Sequence, residues 1–453
     1  MIEIVTFETP ELGDRSYLAH DGTVGMLVDP QRDVGRFLAG VRDAGVRVSH
    51  VLETHMHNDY VTGGLVLARL LGADYVVSAA DRVAYPRQAA RDGDELQVGS
   101  LRVQVLATPG HTYSHLSYLA GDAQNQVVFT GGSMLYGATG RPDLLGADRT
   151  EDLARAQFRS VRRLAGMLRD DTRVYPTHGF GSFCAATPTA TLDSSTIGQQ
   201  KLSNPALTAA GEDEFVRLTV AGLTPYPRYY AHMGYLNLAG PVPADFSPPA
   251  PVDPAELARQ LRDGHWVVDV RNRRAYAAAH LQGSVGVELG KDFASYLGWI
   301  LPWGTPVTLI GDTVAEVAKA QRDLALIGAG RAAGAFTGDL ARLEQAGPSL
   351  SYPVSGFAEL AKTIAGGAGP YVLDVRHDHE WADGHLAGAH HIPFEDLAQR
   401  AAEVPDDDAV WVHCRTGMRA SIAASILDAA GRHPVLIDDD WDRAPAAGLT
   451  VAR

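Results

Sequence analysis

Cysteine is scarce in this 453-residue chain: there are two, Cys184 and Cys414, too few for a disulfide framework. Such economy of thiols fits a reducing compartment, the cytoplasm, where a free thiol survives as a chemical tool. No stretch approaches the roughly 20 apolar residues that a membrane helix needs. The opening residues alternate like a strand, with neither a basic region nor a long apolar run, so no signal peptide is expected. Positive charge is also short, with 39 Lys and Arg against 54 Asp and Glu, a formal net charge of -15. Phosphate recognition needs clustered cations, so nucleic acid is not an expected partner, and an anionic membrane surface is disfavoured. The remaining balance, 45% apolar and 21% charged, is that of a globular protein. At roughly 150 residues per domain, the length predicts about three domains.

Short apolar runs rich in β-branched residues fill the first third: Ile2–Phe7, Gly25–Val28, Val48–Glu53, Tyr75–Ser78, Leu101–Ala107 and Val127–Thr130. Helical patterns at Val34–Ala44 and Gly63–Leu71 separate several of them, which predicts a layered α/β core. A longer helix is expected over Glu151–Leu168 with Thr150 as its cap, followed by a short strand at Val174–Tyr175. Proline crowds the stretch from Gly240 to Pro254, and a second break falls around Gly347–Pro353. These breaks predict domains at 1–250, 251–350 and 351–453.

The second and third segments repeat each other. Val268-Asp269-Val270-Arg271 matches Leu373-Asp374-Val375-Arg376, and His280-Leu281 with Gly283 matches His385-Leu386 with Gly388. Further on, Val307–Gly311 matches Val410–Cys414. The pattern is a duplicated domain.

In the first segment, Thr54-His55-Met56-His57-Asn58-Asp59-Tyr60 follows directly on an apolar strand. Two histidines and a carboxylate within five residues at a strand end can converge on one metal. Thr108-Pro109-Gly110-His111 and Tyr175-Pro176-Thr177-His178 likewise follow strands. Together they nominate His55, His57, Asp59, His111 and His178 as metal ligands. Cys184, six residues after His178 in a loop of glycine and serine, either faces the same pocket or is a buried loop cysteine.

The order HxHxD, His, His resembles the metallo-β-lactamase superfamily. Gly140-Arg141-Pro142-Asp143-Leu144, His178-Gly179-Phe180-Gly181-Ser182-Phe183-Cys184 and Tyr229-Tyr230-Ala231-His232-Met233 bring it closer to bacterial persulfide dioxygenase–rhodanese fusions. The resemblance implies an α/β multidomain protein, a metallo-β-lactamase αββα sandwich followed by two rhodanese-like domains. It also implies a mononuclear iron(II) centre that oxidises a persulfide sulfur with O2, with zinc as the second candidate metal, and Cys184 as a carrier or acceptor of the persulfide. Arg141 and Tyr60 are expected to contact substrate. Two departures stand out. Tyr60 occupies a position where the superfamily carries a ligand of a second metal, and Gly132, in Phe129-Thr130-Gly131-Gly132, stands where the family has an aspartate ligand. A dinuclear site is therefore not expected. The one-metal site is left as a three-histidine set (His55, His57, His111), as a weak His55–His111 pair, or as an empty fold that only binds.

The third segment carries a buried-strand pattern, Ala409–His413, ending at Cys414, then Arg415-Thr416-Gly417-Met418-Arg419 and an alanine-rich helix. A thiol between a strand end and a helix N-terminus is placed to ionise. Arg415 and Arg419 add charge for an anionic donor, and Gly417 is expected to line its site. The loop resembles the rhodanese C-x-x-G-x-R motif, whose four intervening residues favour sulfur over phosphate. The middle repeat has Gly311 and Glu316 in place of Cys414 and Arg419, so it is expected to be an inactive spacer or docking surface.

Three activities follow as expectations: persulfide oxidation coupled to sulfur transfer through Cys414; sulfur transfer with a non-catalytic first domain; or a zinc thioester hydrolase resembling glyoxalase II. The expected partners are small thiols, persulfides and thiosulfate, and a homodimer follows from the prevalence of two-fold assemblies.

Overall fold

In a computed structural model, the structure describes residues 2–121, 125–187, 189, 192–367 and 369–452. The chain divides into two compact units, residues 1–245 with 325–328, and residues 246–324 with 329–453.

The first unit is built on two six-stranded sheets. One runs in the order Glu3–Thr9, Asp14–His20, Val24–Val28, Arg47–Leu52, Asp74–Ser78, Gln88–Ala90. The other runs Ser195–Thr196, Arg173–Pro176, Gln126–Gly131, Leu116–Gly121, Leu101–Ala107, Glu95–Val98. Strand periodicity sends alternate side chains to opposite faces, and both faces here are apolar. Tyr17, Ala19, Met26, Val28 and Leu52 of the first sheet meet Val103, Val105, Tyr118, Val127 and Phe129 of the second in one shared core. The intervening residues Leu18, Leu27 and Val51 face outward against Phe37 and Val41 of helix Val34–Ala44 and Leu65 and Leu67 of helix Gly64–Leu71. On the far side, Leu106, Leu119 and Val128 pack under Phe158, Val161 and Leu164 of helix Thr150–Met167. The result is the expected αββα sandwich, with each large buried side chain contributing about 1.5–3 kcal/mol.

The sequence-based boundaries for these elements hold to within a residue or two. Thr150, expected as a cap, is instead the first residue of its helix, with Arg149 before it. Its hydroxyl donates back to the Gly146 carbonyl at 3.2 Å.

The second unit holds two parallel sheets of one plan. The first has the order Val285–Gly286, Trp266–Asp269, Val307–Gly311, Gly334–Thr337. The second runs Val354–Ser355, His433–Ile437, Ala409–His413, Tyr371–Asp374, His390–His391. The repeated Asp-Val-Arg motif has one geometry in both. Arg271 donates from Nη2 to Asp269 at 2.6 Å and to the Ala279 carbonyl at 2.9 Å; Arg376 does so to Asp374 at 2.6 Å and to the Gly384 carbonyl at 2.7 Å. The motif is therefore a buried clamp between a strand end and the turn before His280 or His385. Among the described residues no helix is long and apolar enough to cross a membrane.

Candidate functional sites

Parallel strands leave their carboxyl ends at one edge, and the first unit puts its chemistry there. Asp29 follows strand Val24–Val28, while Glu53, Thr54 and His55 follow Arg47–Leu52. His111 follows Leu101–Ala107, Gly132 follows Gln126–Gly131, and His178 follows Arg173–Pro176. Ring centroids of His55 lie 4.1 Å from His57, 4.8 Å from His111 and 5.3 Å from His178. All four histidines are buried. Strand ends with no sequence adjacency thus meet in one cluster.

Hydrogen bonding fixes which nitrogens face inward. The Thr54 hydroxyl donates to Asp29 Oδ2 at 2.7 Å, so it accepts from His55 Nδ1–H at 2.9 Å and leaves His55 Nε2 a lone pair. A carbonyl only accepts, so His111 Nδ1–H donates to Arg141 O at 2.8 Å, and His111 Nε2 has no protein partner. His178 Nδ1–H donates to Asp14 at 2.8 Å and lies 3.2 Å from Asp59. The Nε2 atoms of His55 and His178 then face each other at 3.3 Å. His57 turns Nε2 toward Asp29 and Glu53 at ion-pair distances of 3.3 and 3.4 Å, and neither of its ring nitrogens makes a hydrogen bond.

Unpartnered imidazole nitrogens, buried and converging, are what a borderline divalent cation such as zinc or iron takes up. Ligating atoms of His55, His57 and His178 lie within 4.8 Å of one another, and those of His111, His178 and Cys184 form a second such group. The residues therefore fit a nitrogen-rich metal centre. His111 joins His178 and Cys184 in one such group, while its ring also lies 4.8 Å from that of His55.

Charge around the cluster is polarised. Burial together with the neighbouring histidines holds His55 and His111 well below the ordinary imidazole range. Burial opposes protonation of His57, but Asp29 and Glu53 outweigh it and raise the group to about 9. Burial likewise opposes His178, yet Asp59 and Asp14 push it well up. Burial and the Asp59 and Asp14 charges raise the Cys184 thiol.

Several side chains sit differently from expectation. The Tyr60 hydroxyl donates to the Asp29 carbonyl at 3.1 Å while its ring stacks on His57 at 4.3 Å, so it supports a histidine and offers no group to substrate. The Arg141 guanidinium is consumed by Asp143 at 2.7 Å and by the carbonyls of Phe183 and Thr224 at 3.1 and 2.6 Å. It braces the loop around Phe183 and Thr224, with four of its five N–H donors engaged. Asp59 approaches His178 on the Nδ1 side, where it shares the imidazolium with Asp14. At Gly132 a β-carbon would stand 2.3 Å from His111 Cδ2, so the ring occupies the space a larger residue would need.

Asp14, Asp29, Glu53 and His115 were not singled out from the sequence. Asp29 is the one described non-glycine residue with positive φ, 50°, and it gathers Thr54 N at 2.6 Å, Thr54 Oγ1, Thr177 Oγ1 and His57. The signal for Asp29 and Glu53 was legible, since each is an acid ending a buried apolar strand. His115 is structural: it accepts from Gly132 N–H at 3.0 Å and contacts Thr108 Oγ1 at 2.9 Å, which uses both ring nitrogens.

In the second unit, Cys414 is buried at the end of strand Ala409–His413, ahead of helix Met418–Ala429. Gly417 takes φ 88° at the turn. Arg419 does not offer a free charge. Its guanidinium forms a bidentate pair with Glu380 at 2.5 and 2.9 Å, and Glu380 falls to about 2 because the Arg419 contacts overcome burial. Arg415 is half exposed and reaches Asp442 at 3.3 Å. In the middle repeat the Glu316 carboxylate accepts from the amides of Asp312 at 2.9 Å and Thr313 at 3.1 Å, directly after Gly311.

A family model described as the metallo-beta-lactamase superfamily matches residues 12–178, and one described as the rhodanese-like domain matches residues 357–443. Human persulfide dioxygenase ETHE1, mitochondrial, is 29% identical over 241 residues, 53% of this chain and 80% of that protein. Hydroxyacylglutathione hydrolase of Acidiphilium cryptum (strain JF-5) is 30% identical over 221 residues, 48% of this chain and 82% of that protein. The chain belongs to the metallo-β-lactamase superfamily. A crystal structure of a metallo-beta-lactamase from Staphylococcus aureus subsp. aureus COL aligns with a TM-score of 0.67 and 27% identity, covering 74% of this chain and 99% of that one. The superfamily domain here is thus fused to a C-terminal rhodanese-like domain, and the likeness to the staphylococcal structure extends beyond the first unit.

Proposed function

We propose that the chain oxidises persulfide sulfur in its first unit and passes sulfane sulfur through Cys414 in its second. The observation that carries this reading is the placement of the chain's only two thiols. Cys184 lies in the histidine cluster, and Cys414 lies at a strand–loop–helix turn. The likeness to a persulfide dioxygenase and the rhodanese-like domain support the same chemistry.

At the second unit, the Cys414 thiolate attacks the outer sulfur of thiosulfate. A new sulfur–sulfur bond forms, the old one breaks, and sulfite leaves with the electron pair. The enzyme persulfide then yields its outer sulfur to an acceptor thiolate, a small thiol, and Cys414 leaves as thiolate. The helix end beside it favours the anion in both steps. The middle repeat, read as a second rhodanese-like domain, takes no part, because Gly311 offers no nucleophile and Glu316 places a carboxylate at its loop.

At the first unit, His55, His57, His111 and His178 would hold one divalent metal, iron(II) foremost and zinc second. Iron would supply the redox chemistry by which O2 meets a persulfide sulfur. Thr54, Arg141 and Asp14 keep the His55, His111 and His178 rings oriented by holding their Nδ1–H groups. Metal analysis of protein purified without added metal, together with oxygen uptake on adding glutathione persulfide, tests this half. Stoichiometric iron and persulfide-dependent uptake are expected, whereas an iron-free protein that consumes no oxygen overturns it. Thiosulfate-dependent persulfide on Cys414, read by mass spectrometry, tests the other half.

The hydroxyacylglutathione hydrolase relative favours a second reading, in which zinc at the same histidines activates water for thioester hydrolysis. Anaerobic hydrolysis of an acyl-glutathione would select it.

A further inference from the structure

Gly132 has no side chain to offer the histidine cluster, but the protein places a potential anionic donor, Cys184, beside it. Cys184, His111 and His178 are buried, and their ligating atoms lie within 4.8 Å of one another. Nδ1 of each histidine is already committed, to Arg141 O and to Asp14, so each offers this group its Nε2, that of His178 also facing His55 Nε2 at 3.3 Å. His111 Nε2 has no protein partner although it is wholly buried. An inert cysteine would need no such neighbour.

The backbone that carries the thiol is also held in place. Arg141 N donates to the Cys184 carbonyl at 2.8 Å, and the Arg141 guanidinium grips the preceding Phe183 carbonyl at 3.1 Å. Cys184 N donates to Ser182 Oγ at 3.2 Å, and Gly140 pairs with Ala185 as an isolated bridge. Arg141 therefore positions two members of the group, Cys184 through its amide and His111 through its carbonyl. Preorganisation of this kind is what a ligand loop needs and a packing cysteine does not.

We propose that Cys184 is a metal ligand, which with His111 and His178 holds one divalent cation of borderline or soft character, its thiolate supplying the negative charge of the donor set. On binding, lone pairs of the sulfur and of both Nε2 atoms form the metal bonds, and the thiol proton and the His178 Nε2 proton pass to water, with no change of oxidation state. Two imidazole nitrogens and one thiolate make a donor set suited to zinc(II), iron(II) and cobalt(II). The inference rests on the reading of the first unit as a metal centre, and it assigns Cys184 to the metal instead of to carriage of the persulfide.

Cobalt(II) added to the metal-free full-length protein provides the test. Wild type and Cys414→Ser are expected to show a near-ultraviolet sulfur-to-cobalt charge-transfer band at one equivalent. Cys184→Ser is expected to lack that band and to bind cobalt more weakly by more than the roughly 100-fold typical of outer-shell losses. A band that survives in Cys184→Ser, or no band in wild type, overturns the assignment. Should Cys184→Ser not fold, X-ray absorption of zinc-loaded Cys414→Ser decides: one sulfur scatterer at the zinc supports the ligand, and none refutes it. Oxygen uptake by the iron-loaded wild type is read separately. A charge-transfer band without uptake keeps the ligand and drops the oxidation, and uptake without the band does the reverse.

Discussion

Asp438 packs against Gly417, so closely that a β-carbon on the glycine would stand 2.5 Å from Asp438 Oδ1 and 3.0 Å from its Cα. The same carboxylate accepts from Arg273 at 2.8 Å and Arg274 at 2.6 Å, both on the middle repeat. The repeat without a nucleophile thus braces the loop of the repeat that has one. Within this unit, helix Phe293–Ile300 adds Tyr296 and Trp299 against Phe394, each with ring centroids 5.8 Å apart.

Gly417→Ala should therefore damage the loop twice, through φ 88° and through the Asp438 contact. The left-handed conformation alone costs about 1–2 kcal/mol for a residue with a side chain. A lower denaturation midpoint is expected, together with at least a roughly tenfold loss of thiosulfate:cyanide turnover, since 1.4 kcal/mol of misplacement suffices for that. Wild-type turnover in Gly417→Ala would show that the loop does not depend on this turn.

The Glu380–Arg419 pair predicts a pH signature. Glu380 is held at about 2, below its ordinary value of 4.5, so the folded state prefers the carboxylate. That contribution is complete above about pH 4.5 and is lost as the pH falls toward 2. Glu380→Gln should lower stability at pH 7 by about 2 kcal/mol, less than the ~3–5 kcal/mol of fully buried pairs because both side chains keep some solvent. The difference between variant and wild type should shrink on acidification. Freed from its carboxylate, Arg419 should also lower KM for thiosulfate. A stability difference that stays constant from pH 7 to pH 3 contradicts the assignment.

Much of this was legible in the sequence, for a physical reason. Strand periodicity and turn punctuation are local, and so is the motif that ends a strand with a ligand; His55, His111, His178 and Cys414 all announce themselves that way. What was hidden depends on partners remote in the chain. Nothing near Arg419 signals that Glu380 neutralises it, and nothing near Arg141 signals that Phe183 and Thr224 absorb its donors. Asp14 lies 164 residues before the histidine it holds. The pairing of Cys184 with His111 likewise exists only after the sheets are stacked.

Gly132→Asp would place a carboxylate beside the histidine cluster as a candidate ligand, and the structure predicts that it fails as one. The new β-carbon would lie 2.3 Å from His111 Cδ2, 2.8 Å from its Cγ and 3.0 Å from its Nε2. Overpacking of this kind costs about 1–3 kcal/mol. Thermal stability should fall, and metal bound per chain should not rise above wild type. A gain in bound iron would mean that the His111 ring moves aside more readily than its bond to Arg141 O suggests.

The middle repeat offers the converse experiment, in which a nucleophile is supplied to a loop that lacks one. A side chain at residue 311 meets Val317 Cγ1 at 3.0 Å, with Val270 Cγ2 at 3.3 Å and Glu316 Oε2 at 3.5 Å. The Glu316 carboxylate also occupies the amides of Asp312 and Thr313. A thiol placed there faces a fixed negative charge, which disfavours its ionisation and repels thiosulfate. Gly311→Cys in a Cys414→Ser background should therefore form no persulfide with thiosulfate when followed by mass spectrometry. Adding Glu316→Ala removes the carboxylate and releases both amides, and that combined variant should react measurably. If Gly311→Cys alone reacts as fast as native Cys414, then the charge at Glu316 is not what silences this repeat.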